Sequence, residues 1–194
     1  MEFYEKNYEE FSKTRYSIWD SVKKFSENFE NDSLVLDAGC GNGKNMYYLK
    51  DKCKIIGIDN CKNFVTLCKE RQLNVLESNI LNLPFENNTF DFIISIAVIH
   101  HLRTESERYK AIDELLRVLK PNGKMLITVW AYENDNFSEN KNFKIGDNIV
   151  KFNNENRYYF IYNKVNFEKF VSKYNSLIYW DKGNWNAEIR CLQY

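Results

Sequence analysis

A chain of 194 residues, 44% hydrophobic and 28% charged, has the composition of a soluble globular protein and the length to bury one sizeable core. Lysine plus arginine equals aspartate plus glutamate at 27 each, so no net charge steers the chain toward nucleic acid or membrane, although a local basic face remains open. The five cysteines (Cys40, Cys53, Cys61, Cys68, Cys191) are odd in number and never form a CxxC pair, which argues against a disulfide framework and against a zinc site of the chain's own. They read as reduced thiols of a cytosolic or nuclear protein. The opening MEFYEKNYEEF is polar and acidic, unlike a signal or transit peptide. No apolar run approaches the roughly 20 residues of a membrane span. The 14 Phe, 13 Tyr and 4 Trp fit either core filling or stacking surfaces.

In chain order, Tyr4 to Phe29 reads as helical, with Trp19, Val22, Phe25 and Phe29 on one face. Leu34 to Leu36 is a buried strand that runs into Asp37 and a glycine cluster, with a helix around Lys44 to Leu49. Ile55 to Asp59 is a second strand, followed by a helix from Cys61 to Arg71 and a short strand at Asn74 to Glu77. Phe90 to Ser95 is another buried strand, and Glu105 to Leu119 a helix that Pro121-Asn122-Gly123 stops before a strand at Lys124 to Trp130. Glu133 to Asn156 reads as a polar, Asn-rich mobile loop. A short strand near Tyr158 to Ile161, a helix from Val165 to Tyr174, and strands Leu177 to Trp180 and Trp185 to Leu192 around Asp181-Lys182-Gly183-Asn184 close the chain.

This alternation predicts a doubly wound, mostly parallel seven-stranded sheet with helices on both faces and an antiparallel C-terminal hairpin. The expected organisation is a single domain: helices over 1–30, a cofactor-binding core over 31–131, the loop over 132–156, and a sheet-closing, substrate-facing part over 157–194.

The strongest motif is Asp37-Ala38-Gly39-Cys40-Gly41-Asn42-Gly43, between a strand and a helix. Gly39 and Gly41 permit backbone angles closed to other residues and a close approach to a ligand. A second acid, Asp59, ends the next strand about 20 residues on, the spacing of ribose recognition. A dinucleotide fingerprint wants a third glycine where Lys44 stands, and no phosphate wants Asp37 beside it. S-adenosylmethionine carries no phosphate but a cationic amino group and a sulfonium. Asp37 suits its methionine end and Asp59 its ribose hydroxyls. An unliganded glycine turn is the bland alternative.

Through Leu34 to Ala131 the pattern resembles the class I S-adenosylmethionine-dependent methyltransferases. That resemblance adds Cys40, Asn60, Ile80 and Ser95 to the expected cofactor contacts. Where the family carries an acid against adenine this chain has Asn79, whose amide oxygen also accepts a hydrogen bond.

Further stretches resemble one branch, the tRNA methyltransferases that esterify wobble carboxymethyluridine, found free-standing or fused to an AlkB-type oxygenase. They are Phe11-Ser12-Lys13-Thr14-Arg15-Tyr16, Asn82-Leu83-Pro84-Phe85, Ser95 to His101, Arg117 to Gly123, Val129-Trp130-Ala131 and Arg157-Tyr158-Tyr159. The resemblance implies methyl-ester formation on tRNA. Arg15, Arg157, His100 and His101 are then the candidate catalytic residues, His101 favoured over His100, and Trp130, Tyr158 and Tyr16 the candidate substrate contacts. Salt-bridging arginines, helix-capping histidines and core aromatics are the structural alternatives for the same residues. Lys141, Lys144, Lys151, Arg157, Lys164, Lys169 and Lys173 make the tail basic, as a phosphate track or as a solvated face. The resemblance also implies a small zinc-binding activator at the third-strand edge, with Val75 and Leu76 as contacts. A small-molecule methyltransferase and a non-catalytic RNA- or partner-binding subunit are the competing functions.

Overall fold

The structure is a computed structural model and describes residues 2–13, 17–134, 143–152 and 155–192. Helices α1 (Glu2–Lys13) and α2 (Asp20–Phe25), with a 3-10 turn at Ser26–Asn28, replace the single helical stretch expected for the opening. The core follows as β1 (Leu34–Ala38), α3 (Lys44–Leu49), β2 (Lys54–Asp59), α4 (Lys62–Glu70), β3 (Val75–Glu77), β4 (Phe90–Ile96), a 3-10 turn at Ile99–His101, α5 (Glu105–Val118) and β5 (Leu119–Trp130). Strands β6 (Gly146–Phe152) and β7 (Glu155–Ile161), helix α6 (Lys164–Val171), and strands β8 (Ser176–Asp181) and β9 (Asn184–Arg190) complete it.

Seven strands form one sheet in the order β3-β2-β1-β4-β5-β9-β8. The first five are parallel, and β9 joins β5 antiparallel, with β8 antiparallel on its far side. Alternation within the strands explains why helices cover both faces. Leu36, Ile93, Met125 and Ile127 point into a core with Ala111, Ile112 and Leu115 of α5. Their neighbours Val35, Ile94 and Leu126 pack on the other side against Val22 and Phe25 of α2 and Leu49 of α3. Thr104 and Glu107 form a reciprocal capping box that fixes where α5 starts.

Two expectations need correction. Pro121-Asn122-Gly123 does not precede β5 but bulges within it, since Phe90 pairs with Leu119 and Phe92 with Lys124. Asn122 takes a φ of +64° there, and its N–H bonds the Cys191 carbonyl at 2.9 Å. The polar segment read as a loop up to Asn156 contains strand β6, paired antiparallel with β7 as a separate two-stranded ribbon. Sequence periodicity missed β6 because Asp147, Asn148 and Lys151 interrupt its apolar residues; cross-strand partners on β7, not a buried face of its own, define it.

The chain runs β1, β2, β3 toward one edge, then returns to place β4 on the other side of β1. Such a reversal leaves a crevice at the carboxyl ends of β1 and β4, where ligands of open α/β sheets bind.

Candidate active site

The crevice holds a cavity of about 330 Å³. Its floor is the turn after β1. Gly39 and Cys40 both donate backbone N–H groups to the Ile58 carbonyl, at 2.8 and 2.9 Å, which ties the turn to β2. Gly39 has φ +82°, and a Cβ there would meet the Val98 side chain at 2.4 Å, so only glycine fits. Gly41 has φ +54°, but a Cβ there would meet nothing within 4 Å. Its open side faces the cavity, where a ligand approaches the backbone. The Cys40 thiol lies beside Cys68, and that neighbour together with burial keeps it protonated.

The two acids differ. Asp59 lines the cavity; its Oδ2 accepts from the Gly41 N–H at 2.8 Å and its Oδ1 from the Cys61 N–H at 2.9 Å. Burial pushes its carboxyl up, and those backbone donors pull it back. Each oxygen keeps a second lone pair for a ligand hydroxyl. Asp37 is fully buried behind the lining, and neither of its oxygens has a hydrogen-bond partner among the described residues. Burial and then the neighbouring Asp59 charge push its carboxyl up to about 7, opposed by Lys44 and the Asn45 amide. Asn45 lines the cavity, and its buried Oδ1 likewise makes no hydrogen bond. Buried polar atoms are normally satisfied, and no described residue supplies a hydrogen-bond donor to these acceptors, which leaves them available to a ligand. A ligand ammonium would supply such a donor, so the set fits S-adenosylmethionine: Asp37 and Asn45 are the residues that would hold its cation and Asp59 its diol.

Among the other expected cofactor contacts, Asn60 and Ile80 line the cavity. Asn79 does not: its Oδ1 accepts from the Leu81 N–H at 2.9 Å, and its neighbour Ser78 takes the place in the wall. Ser95 does not either, because it is buried within β4; Ile96, Ala97 and Val98 form the wall beyond it.

The two histidines separate cleanly. His100 is fully buried, and its Nδ1 accepts from the Trp130 N–H at 3.1 Å, so its proton sits on Nε2. It clamps the end of β5 and is not a wall residue. His101 lines the cavity. Its Nδ1 lies 3.1 Å from the Tyr158 carbonyl, which only accepts, so the proton sits on Nδ1 and Nε2 accepts from the Tyr4 hydroxyl at 2.9 Å. The adjacent rings are thus opposite tautomers.

Arg157 is 6% exposed and does not line the cavity. Its guanidinium packs on the rings of Phe3 at 4.7 Å, Tyr159 at 4.9 Å and Phe11 at 5.5 Å, joining β7 to α1. Trp130 stacks on Tyr159 at 4.4 Å and 13°, which covers one ring face. The half-buried Tyr158 donates its hydroxyl to Asp147, with the Arg103 guanidinium 5.5 Å above its ring. Neither Trp130 nor Tyr158 lines the cavity. Arg15, Tyr16 and Lys141 lie outside the described residues.

Sequence reasoning missed an aromatic wall. Tyr4 and Phe11 of α1, Trp19 and Phe64 of α4 all line the cavity. Phe64 sits on the apolar face of α4, but nothing local in the sequence joins α1 to that helix.

Residues 36–127 match a family model described as a methyltransferase domain. The chain is 46% identical over 128 residues to the tRNA (carboxymethyluridine(34)-5-O)-methyltransferase of Arabidopsis thaliana, a match covering 66% of this chain and 31% of the relative. The chain spans about a third or less of the curated relatives so named, with 20% and 21% coverage in two animal proteins. Among solved structures, a putative methyltransferase in complex with the Trm112 methyltransferase activator of Haloferax volcanii aligns with a TM-score of 0.69 at 14% identity, covering 97% of this chain and 94% of that one. The S-adenosylmethionine-bound amino pentose methyltransferase of Micromonospora echinaspora aligns with a TM-score of 0.72 at 13% identity, over 95% and 96%. These two likenesses bear on the fold. The chain therefore has the class I methyltransferase fold, matches a methyltransferase-domain family over residues 36–127, and resembles the tRNA carboxymethyluridine methyltransferases in sequence.

Proposed function

We propose that the chain transfers a methyl group from S-adenosylmethionine to the carboxylate of 5-carboxymethyluridine at the wobble position of tRNA, forming its methyl ester. The observation that carries this reading is the cavity itself: an unsatisfied acidic seat at one end, His101 at the other, in a chain 46% identical to the plant relative. S-adenosylmethionine supplies an activated methyl on a sulfonium that leaves as a neutral thioether. The chain's own residues bind and orient. Asp37 and Asn45 hold the ammonium, Asp59 the ribose hydroxyls, and Ser78 and Ile80 border the adenine end. The acceptor carboxylate is already ionised at neutral pH, so no general base is required and positioning dominates.

His101 and Tyr4 stand on the acceptor side. Arg157 contributes from one layer back, with its guanidinium 6.0 Å from the Tyr4 ring centroid. Its charge acts on the carboxylate as a field through low-dielectric protein, not as a contact. The aromatic wall of Phe11, Trp19 and Phe64 keeps water away from the reacting atoms.

The test compares methyl transfer to tRNA bearing carboxymethyluridine with transfer to the same tRNA lacking that group. Transfer confined to the first supports the reading. Equal transfer to both moves the target to another RNA atom. No transfer to either, with cofactor bound, points to a small-molecule acceptor or a non-catalytic subunit.

A small zinc-binding activator at the β3 edge belongs to the same proposal. Strand β3 ends the sheet, and Leu76 is 40% exposed there. Val75 is buried against α4, which corrects its place as a contact; Leu76 is the apolar residue on offer. The free thiols of all five cysteines support a reducing compartment, cytoplasmic or nuclear.

A further inference from the structure

Helix α1 ties the two ends of the cavity together through adjacent residues. The Glu5 carboxylate accepts the Lys62 N–H at 2.6 Å and the Asn63 N–H at 3.2 Å, the first two backbone donors of α4. The Glu5 carbonyl also accepts from the Asn63 side-chain amide at 2.7 Å. An acid there satisfies orphan donors and complements the helix dipole. It docks α1 beside Asp59 and Asn60, at the ribose end of the cavity.

One residue earlier, Tyr4 turns into the cavity. Its ring meets Phe11 edge-on at 5.0 Å and Phe64 at 6.0 Å, and its hydroxyl reaches His101 Nε2. His101 is thereby held at both nitrogens, by groups 97 and 57 residues away in the chain.

We propose that Tyr4 is a positioning residue for methyl transfer: by donating to Nε2 it holds the orientation of the His101 ring, whose Nδ1–H the Tyr158 carbonyl already fixes, and Glu5 keeps α1 in register to do so. This rests on the reading of the His101 end as the acceptor seat. An imidazole fixed at both nitrogens cannot turn, and a misplacement of about 1 Å near reacting groups costs on the order of 100-fold in rate. One lost hydrogen bond permits only part of that, about 3- to 10-fold.

Tyr4→Phe removes the hydroxyl and keeps the ring. Three quantities are read on the full chain: the nitrogen chemical shifts of the His101 ring, cofactor affinity by calorimetry, and turnover on carboxymethyluridine tRNA. The expected result is a shifted Nε2 resonance that reports its lost hydrogen bond while Nδ1 stays protonated on the Tyr158 carbonyl, cofactor affinity within about twofold, and a kcat about 3- to 10-fold lower. Glu5→Ala, which replaces no residue of the cavity wall, is expected to produce the same spectral change by loosening α1 and Tyr4 with it, and guards against a Tyr4 variant that fails to fold. Unchanged His101 nitrogens in the folded variants, or changed nitrogens with unchanged kcat, overturn the proposal. A parent protein that binds cofactor but methylates no tRNA sinks the acceptor reading instead, and that outcome is visible before any variant is compared.

Discussion

The cofactor end and the acceptor end of the cavity are built in opposite ways. The cofactor end comes from one βαβ stretch, Asp37 to Asp59, and its parts are neighbours along the chain. The acceptor end gathers Tyr4, His101 and the Tyr158 carbonyl from three distant segments. The first is a local device, set by glycine backbone angles and two acids. The second exists only once α1, the turn after β4 and β7 have docked. Mutations at the cofactor end should therefore act on binding, and mutations at the acceptor end on rate.

The largest effect is expected at Asp37. Removing the buried acid leaves the ligand ammonium unpaired, so Asp37→Ala should weaken S-adenosylmethionine binding about 100-fold or more by calorimetry. An unchanged affinity would break the comparison at its firmest point.

Next is His101→Ala, expected to lower kcat about 10- to 100-fold while cofactor affinity stays near that of the parent. A loss shared equally between affinity and kcat would mean that the two ends are not separable.

The pH dependence sharpens the difference. Burial raises the Asp37 carboxyl to about 7, and a cation bound beside it favours its ionised form. Cofactor affinity should be level above that pH and fall toward tenfold per unit below it, with proton release on binding. The sign for stability is the reverse. A carboxyl raised on folding contributes stability that is present below its unfolded value and lost as pH rises through about 7. Cofactor-free Asp37→Asn should thus melt higher than the parent at pH 8, with the difference shrinking as pH falls below about 7 and gone below the unfolded value of 3.8. An equal melting temperature at pH 8 would mean that the buried acid carries no such penalty.

The smallest effect is expected far from both ends. Leu76→Glu should leave cofactor affinity and melting temperature unchanged while weakening the association of an activator by about tenfold. Association unchanged in a pull-down would remove β3 from that interface.

The same contrast explains what the sequence disclosed. The strand–helix alternation and the glycine turn after β1 were legible because each is encoded by adjacent residues or by periodicity, and the turn with Asp37 and Asp59 falls at the switch point. Asn79 and Ser95 lie a residue or so from the cavity wall that Ser78, Ile80 and Ile96 form, since a loop's exit angle decides which side chain faces inward. Arg157 read as a substrate cation because a lone arginine gives no hint of four aromatic rings waiting around it. His100 and His101 could be ranked only by position; their opposite tautomers follow from a β5 amide and a β7 carbonyl that no local pattern reveals. Strand β6 was hidden because pairing with β7, rather than burial, makes it a strand.

The most direct test of the central claim is the chemical nature of the product. tRNA labelled from methyl-tagged S-adenosylmethionine by this protein is treated with mild alkali, which hydrolyses esters and spares methyl groups on bases and riboses. Label released as volatile methanol is the predicted result and identifies a carboxyl methyl ester. Label that stays on the RNA would contradict the account.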